Sequence, residues 1–262
     1  MATASKTDDF LFAPSEEAPG PQYLALRNRI AEGIARGRLA PGVRLPSERQ
    51  LQLNTGAARG TIREALAQLE AEGLVYRRDR SGWYVSPPAV TYDPTRWAGF
   101  MSYVAEQGRA PATETLAKET APATPSLADI FRVSPGTPLY DITRRRSIDG
   151  RTVLIERIMV DPALAPGLLA HPLDGSLTRI LAEQYDLTVA RNRIDMKPCA
   201  LTGATADALG VKPGTPGLLV VRSSFDAAGR VVEYDQEYWR HDAIRVHVDL
   251  AVRERVGASV VE

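Results

Sequence analysis

The chain has 262 residues, 32 basic and 32 acidic side chains, a formal net charge of zero and one cysteine, Cys199. One cysteine excludes an intrachain disulfide framework and a multi-cysteine zinc site, and suits a reducing cytosol. A hydrophobic fraction of 44% with 24% charged residues is that of a globular protein. No run approaches the ~20 apolar residues of a membrane helix, and the opening MATASKTDDFLFAPSEEAPG lacks the positive flank and long apolar core of a secretory signal.

The neutral total is a sum of unlike parts. Residues 1–20 carry a net −3, residues 21–88 a net +5, and residues 89–262 a net −2. The middle segment holds eleven arginines, six acids and no lysine. Arginine's planar fork suits bidentate contacts to phosphate and to guanine edges.

Residues 1–20 read as a flexible segment. From Gln22 to about Arg36, Leu26, Ile30 and Ile34 recur every four residues, which places them on one helical face. LPSERQLQLN follows, with Ser47 as N-cap of a helix over about Glu48–Asn54 and Leu51 as its core contact. After the turn Thr55–Ala58, a third helix runs from about Arg59 to Glu72. Ile62, Ala65, Leu66 and Leu69 form its buried face, and Gly73 is its stop signal. LVYRRDRSGWYV then reads as two short strands around Ser81-Gly82. Two helices joined by a short turn, followed by a hairpin, make a winged helix-turn-helix over 21–86. Three prolines in Ser86–Thr95 predict a stiff, extended linker over 87–95 that stays out of any core.

From 96 to 250 the texture is mixed α and β. A short helix is expected over Trp97–Glu106. Asp149-Gly150 is a hairpin signal between two strands. Leu177, Ile180 and Leu181 share a helical face, and a second strand pair turns near Ala228-Gly229. Antiparallel pairing makes the whole an α+β chain. Residues 251–262 read as a tail.

The apolar face of the third helix is used up by its core contacts, so its first turn presents Arg59, Gly60, Thr61 and Arg63 outward, the part of a recognition helix that enters the major groove. Arg49 is placed to clamp the backbone, and Arg77, Arg78 and Arg80 line the wing.

QYLALRNRIAEGIARGRLAPGVRLPSERQL…ARGTIREALAQLEAEGLVYRR…GWYV resembles the DNA-binding domain of the GntR family of bacterial transcription regulators. The resemblance implies DNA contacts at Arg49, Ala58, Arg59, Gly60, Thr61, Arg63, Asp79 and Arg80. This chain departs from the family pattern at Ala58, Gly60 and Asp79. Residues 96–250 look like the effector-binding (UTRA) domain of the HutC subfamily, with a chorismate-lyase-like α/β fold. For that domain the resemblance implies an anion site built from alternate arginines on one strand (Arg144 and Arg146, in RxRxxDG), Glu156 on the next, and Ser176 with Thr178 at a helix start. The stretches EQGRAP, DGSLT and EYWRHDAIRVHVD are similar to regulators of phosphonate utilisation that respond to 2-aminoethylphosphonate. Bidentate arginines and a helix N-terminus suit a phosphonate. The aminoethyl ammonium needs an acid, for which Glu156, Glu233, Asp235 and Glu237 are all candidates. Arg240 and Asp242 are the alternative, a structural pair.

The expected partners are double-stranded operator DNA, a small anionic effector and a second copy in a homodimer. No cofactor, metal or membrane is expected, and the cytoplasm is the expected location. Catalysis is not expected: the three histidines are scattered, Cys199 has no activating partner in sequence, and no phosphate-loop, dinucleotide or zinc-hydrolase motif occurs. The alternatives are a regulator of the same type sensing a sugar phosphate, a histidine-pathway metabolite or an organic acid and, more remotely, a lyase-like enzyme.

Overall fold

The computed structural model describes residues 22–78, 81–96 and 98–250. The expectations for residues 1–20, Asp79, Arg80, Trp97 and residues 251–262 lie outside the described residues.

Three helices and a hairpin form the first unit: α1 (Gln22–Ala35), α2 (Glu48–Thr55), α3 (Arg59–Ala71), β1 (Val75–Arg78) and β2 (Gly82–Val85). In α1 the four-residue period buries Leu26 and Ile30, with Ile34 packed at the edge of the core. Ser47 caps α2 in a capping box whose reciprocal arm is Gln50: the Ser47 Oγ accepts from the Gln50 N–H at 3.2 Å, and the Gln50 side chain accepts from the Ser47 N–H at 2.9 Å. Gly56 ends α2 at φ +67°, a left-handed conformation that favours glycine. Ile62, Ala65, Leu66 and Leu69 of α3 are fully buried against Leu26, Ile30 and Leu51.

The second unit is a six-stranded antiparallel sheet in the order β4-β5-β6-β9-β8-β7. Its strands are β4 (Pro111–Pro122), β5 (Pro138–Ile148), β6 (Arg151–Val160), β7 (Arg191–Leu201), β8 (Thr215–Phe225) and β9 (Val231–Arg240). Four short helices accompany them: α4 (Phe100–Glu106), α5 (Pro125–Phe131), α6 (Leu177–Tyr185) and α7 (Gly203–Leu209). Asp149 and Gly150 both take positive φ between β5 and β6, the signature of a type I′ hairpin turn.

One face of the sheet is covered by α5 and α7, through clusters around Tyr234 and Leu209. The other carries α4 over Leu154, Val220 and Trp239 at one end, and α6 over Ile142 and Ile158 at the other. The polar strip between those two apolar ends is the site described below.

Three expectations are corrected. The segment 87–95 is extended but does not stay out of the core. Its strand β3 (Val90–Tyr92) pairs in parallel with β10 (Ile244–Val246), and Val90 and Tyr92 are buried beside Phe100 and Trp239. Alternating apolar side chains in AVTY outweigh the prolines around them. The helix expected from Trp97 begins at Phe100. The two hairpins read in the sequence pair directly through β6 and β9 and are flanked by the edge strands β4 and β7, which the sequence reading did not assign.

Gly217 lies where β8 crosses β9. A Cβ there would stand 2.8 Å from the Trp239 carbonyl oxygen and 2.8 Å from Leu201 Cδ2. Gly217→Ala should therefore destabilise the protein by about 1–3 kcal/mol, the usual cost of overpacking, and thermal unfolding reads this directly.

Candidate nucleic-acid interface and effector pocket

The first turn of α3 is bare. Ala58 occupies the N-cap with no side-chain hydrogen bond, so the leading N–H groups of the helix stay open to an anion. Arg59, Gly60 and Arg63 are exposed there, with Arg49 exposed one helix earlier and Arg77 and Arg78 exposed on the wing strand. The Arg78 guanidinium stands 5.5 Å from the centre of the Tyr84 ring. Six of the eight expected DNA contacts are thus exposed, Thr61 being half-buried and Arg80 outside the described residues.

The sequence reading missed what orients the pair Arg59 and Arg63. Arg63 Nε donates to the Glu48 carboxylate at 3.0 Å, and Arg59 Nε lies 3.7 Å from the same oxygen. Burial works to raise the Glu48 pKa, but hydrogen bonds from Arg63 and Trp83 and the two guanidinium charges prevail and hold it low. Glu48 belongs to the PSER stretch, so the helix before the recognition helix fixes where the arginines point. The signal was the acid beside Arg49, which the sequence reading counted only as charge.

In the second unit, residues spaced by two along each strand meet across the sheet. Thr115, Arg144, Glu156 and Glu237 stand in register on four successive strands. Asp235 faces Arg222, and Glu233 faces Ser224. Above them lies a cavity of about 380 Å³, lined among others by Tyr92, Tyr103, Arg144, Arg146, Ser176, Thr178, Arg222, Glu233 and Glu237. Of the eight expected effector residues, seven line it. The exception is Asp235, buried beneath Arg222.

The charges are divided along this strip. At one end Arg144 and Arg146 share a single carboxylate: their Nε atoms lie 2.9 and 2.8 Å from Glu156 Oε2, and Arg146 Nη2 lies 3.0 Å from Oε1. Burial would raise the Glu156 pKa, but the two guanidinium groups drive it down. Two cations on one anion leave a surplus of positive charge. Arg144 Nη1 also donates to the carbonyls of Leu173 and Gly175, both at 3.1 Å. Those bonds fix the loop that starts α6, whose N-cap is Ser176, with its Oγ accepting from the Arg179 N–H at 3.3 Å. Ser176 is therefore both a structural cap and a lining residue.

At the other end one arginine serves several acids. Arg222 Nη2 donates to Glu237 Oε1 at 2.8 Å and to the Tyr92 hydroxyl at 3.2 Å, while Nη1 lies 4.0 Å from Asp235. Trp239 Nε1 donates to the second Glu237 oxygen at 2.7 Å. Burial, reinforced by neighbouring acids, raises the pKa of Glu233 and of Asp235. Tyr92 is pushed up to about 12, chiefly by burial, so it enters as a neutral hydroxyl. Three buried polar atoms here, Arg222 Nε, Asp235 Oδ1 and Asn192 Oδ1, have no hydrogen-bond partner.

Profiles of two families match the chain. The one described as "Bacterial regulatory proteins, gntR family" covers residues 22–85, and that of the UTRA domain covers residues 106–245. The chain belongs to the GntR family.

This GntR-family regulator is 32% identical over 225 residues to YihL of Escherichia coli K12, an uncharacterised HTH-type transcriptional regulator, across 86% of this chain and 95% of the relative. It is 27% identical to the HTH-type transcriptional repressor NagR of Bacillus subtilis, over 87% of this chain and 94% of that one. The crystal structure of PhnF from Mycobacterium smegmatis shares the fold with a TM-score of 0.62 at 23% identity, over 86% of this chain and 99% of that chain. GntR regulators bind operator DNA and UTRA domains bind small-molecule effectors. None of the described helices is long and apolar enough to cross a membrane.

Among the pocket-lining residues that the sequence reading passed over are Arg222, Tyr92, Tyr103 and Asn192. Arg222 and Ser224 alternate in VVRSSF, a period-two signal like that of Arg144 and Arg146. Several other titratable groups have structural roles. Asp149 accepts from the Ala110 N–H at 2.8 Å and from Arg109 at 2.5 Å, which ties the hairpin turn to the start of β4. Arg240 pairs with Asp242 at 3.1 Å. Burial pushes the Cys199 thiol up, away from nucleophilic use.

Proposed function

We propose that this regulator controls phosphonate utilisation genes, that its effector is 2-aminoethylphosphonate or a close aminophosphonate, and that it works as a homodimer on a two-fold operator. The observation that carries the reading is the division of charge in the pocket. A phosphonate offers three acceptor oxygens and negative charge to the end where Arg144 and Arg146 outnumber Glu156, with the start of α6 beside it. A primary ammonium suits the end where Asp235 and Glu237 share Arg222 and Glu233 lines the cavity. In the same reading Arg59, Thr61 and Arg63 read base edges, and Arg49, Arg77, Arg78 and Arg80 hold the DNA backbone.

Calorimetry tests the effector. 2-Aminoethylphosphonate should bind the wild type, ethylphosphonate, which lacks the ammonium, should bind more weakly, and Arg144→Ala with Arg146→Ala should abolish binding. Equal affinity for the two ligands would remove the ammonium site. Equal affinity in wild type and double variant would remove the arginines. Heat from glucosamine 6-phosphate but none from either phosphonate would keep the regulator and replace its effector.

A further inference from the structure

The two units meet at the end of β9. His241, the residue after that strand, sits between two main-chain carbonyls: its Nε2 is 2.8 Å from the Glu70 oxygen, and its Nδ1 is 2.9 Å from the Pro216 oxygen. Glu70 is in the last turn of α3 and Pro216 is at the start of β8. A carbonyl only accepts, and a neutral imidazole has a single N–H, so one ring nitrogen would face an oxygen lone pair against lone pair. An imidazolium donates to both. The C-terminal end of a helix also carries the negative end of its dipole, which favours a cation.

The surroundings make this a closed joint. Asp242 packs against Gly73 at the stop of α3, where an added Cβ would stand 3.2 Å from the Asp242 Cβ. Asp242 also pairs with Arg151 and Arg240, whose guanidinium carbons lie 4.1 and 5.7 Å from the centre of the Tyr76 ring of β1. The Glu70 carboxylate on α3 interacts electrostatically with His241, with Lys212 before β8, and with Arg240 and Asp242. β9 enters the joint directly from the pocket: Glu233 and Glu237 line the cavity, and Trp239, the neighbour of Arg240, holds Glu237.

We propose that His241, bonded through both ring nitrogens, pins the C-terminal end of the recognition helix to the effector-binding domain. Together with the Asp242 contacts beside it, it passes a shift of β9 within the pocket on to the recognition helix. This inference is independent of which effector the pocket takes.

The test uses the full-length protein with nitroxides at Gln52→Cys on α2 and Asp207→Cys on α7, in a Cys199→Ser background, read by double electron–electron resonance. The distance distribution of this parent should be narrow. His241→Ala should broaden it, with each unit still folded by circular dichroism. His241→Arg, which keeps N–H donors for both carbonyls, should stay narrow, and Glu70→Gln, which leaves the main-chain carbonyl in place, should match the parent. An alanine variant as narrow as the parent, an arginine variant as broad as the alanine one, or a distribution broadened by Glu70→Gln would each overturn the assignment.

Discussion

Replacing Glu156 by leucine should lower the stability of the protein by about 3–5 kcal/mol, because it leaves two buried guanidinium groups without their shared carboxylate. Arg144 is 1% exposed and Arg146 is 6% exposed, so solvent cannot take over. Both Arg144 and Arg146 lie against this one carboxylate. In a domain of this size each kcal/mol moves the melting temperature by roughly 2–4 °C, so differential scanning calorimetry resolves the effect. The cost comes from the unpaired charges rather than from any surplus stability of the pair. A triple replacement with Arg144→Met, Arg146→Met and Glu156→Leu should therefore recover most of the loss while removing the anion end of the pocket. A single variant that melts with the parent protein would show that Glu233 or Glu237 can take over the arginines.

The pH dependence of this effect has a definite sign. Glu156 has a lowered pKa, so its contribution is present above the carboxylate range of the unfolded chain and is lost as pH falls through the folded value. The gap between wild type and Glu156→Leu should accordingly narrow in acid. Glu233 and Asp235, with raised pKa values, work in the opposite direction. Each favours the folded state when protonated, and that preference disappears as pH rises through its folded value.

The same residues show what a sequence can and cannot disclose. Leu26, Ile30, Ile62, Leu66 and Leu69 are legible as a helical core because burial repeats with the turn of the helix. Asp149-Gly150 is legible because both residues tolerate positive φ. Arg144, Arg146 and the row Glu233, Asp235 and Glu237 are legible as faces because a strand alternates. What joins these faces is long-range register. That Glu156 stands between Arg144 and Glu237 follows from pairing β5 with β6 and β6 with β9, strands whose order in the sheet no local pattern encodes. β4 and β7 escaped notice for a related reason. As edge strands they leave most of PATETLAKETAP and RNRIDMKPCAL exposed or half-buried, so hydrophobicity does not mark them. Arg222 sits in a strand that was legible, but its role depends on Glu237 and Tyr92, fifteen and 130 residues away.

Arg63→Ala should weaken operator binding by about 1–3 kcal/mol if the side chain reads a base, and the loss should be confined to one position of the site. The free protein already holds Arg63 ready: its side chain is 58% exposed, and Glu48 fixes the guanidinium from behind. Arg49→Ala should behave differently. As a backbone contact it should weaken binding to all sequences alike and reduce the slope of log affinity against log salt by about one. Both measurements use DNA selected from a random-sequence pool by the wild-type protein, titrated at several salt concentrations. Glu48→Gln distinguishes orientation from charge. It keeps an acceptor for Arg63 while removing the anion that opposes phosphate, so it should raise affinity for unrelated DNA and leave the Arg63-dependent base preference in place. If Glu48→Gln instead erased that preference, the charge pair itself would be what aims the recognition helix. If Arg63→Ala lowered the salt slope and relaxed no base, Arg63 would be a phosphate contact, and the reading of sequence would shift to Arg59 and Thr61.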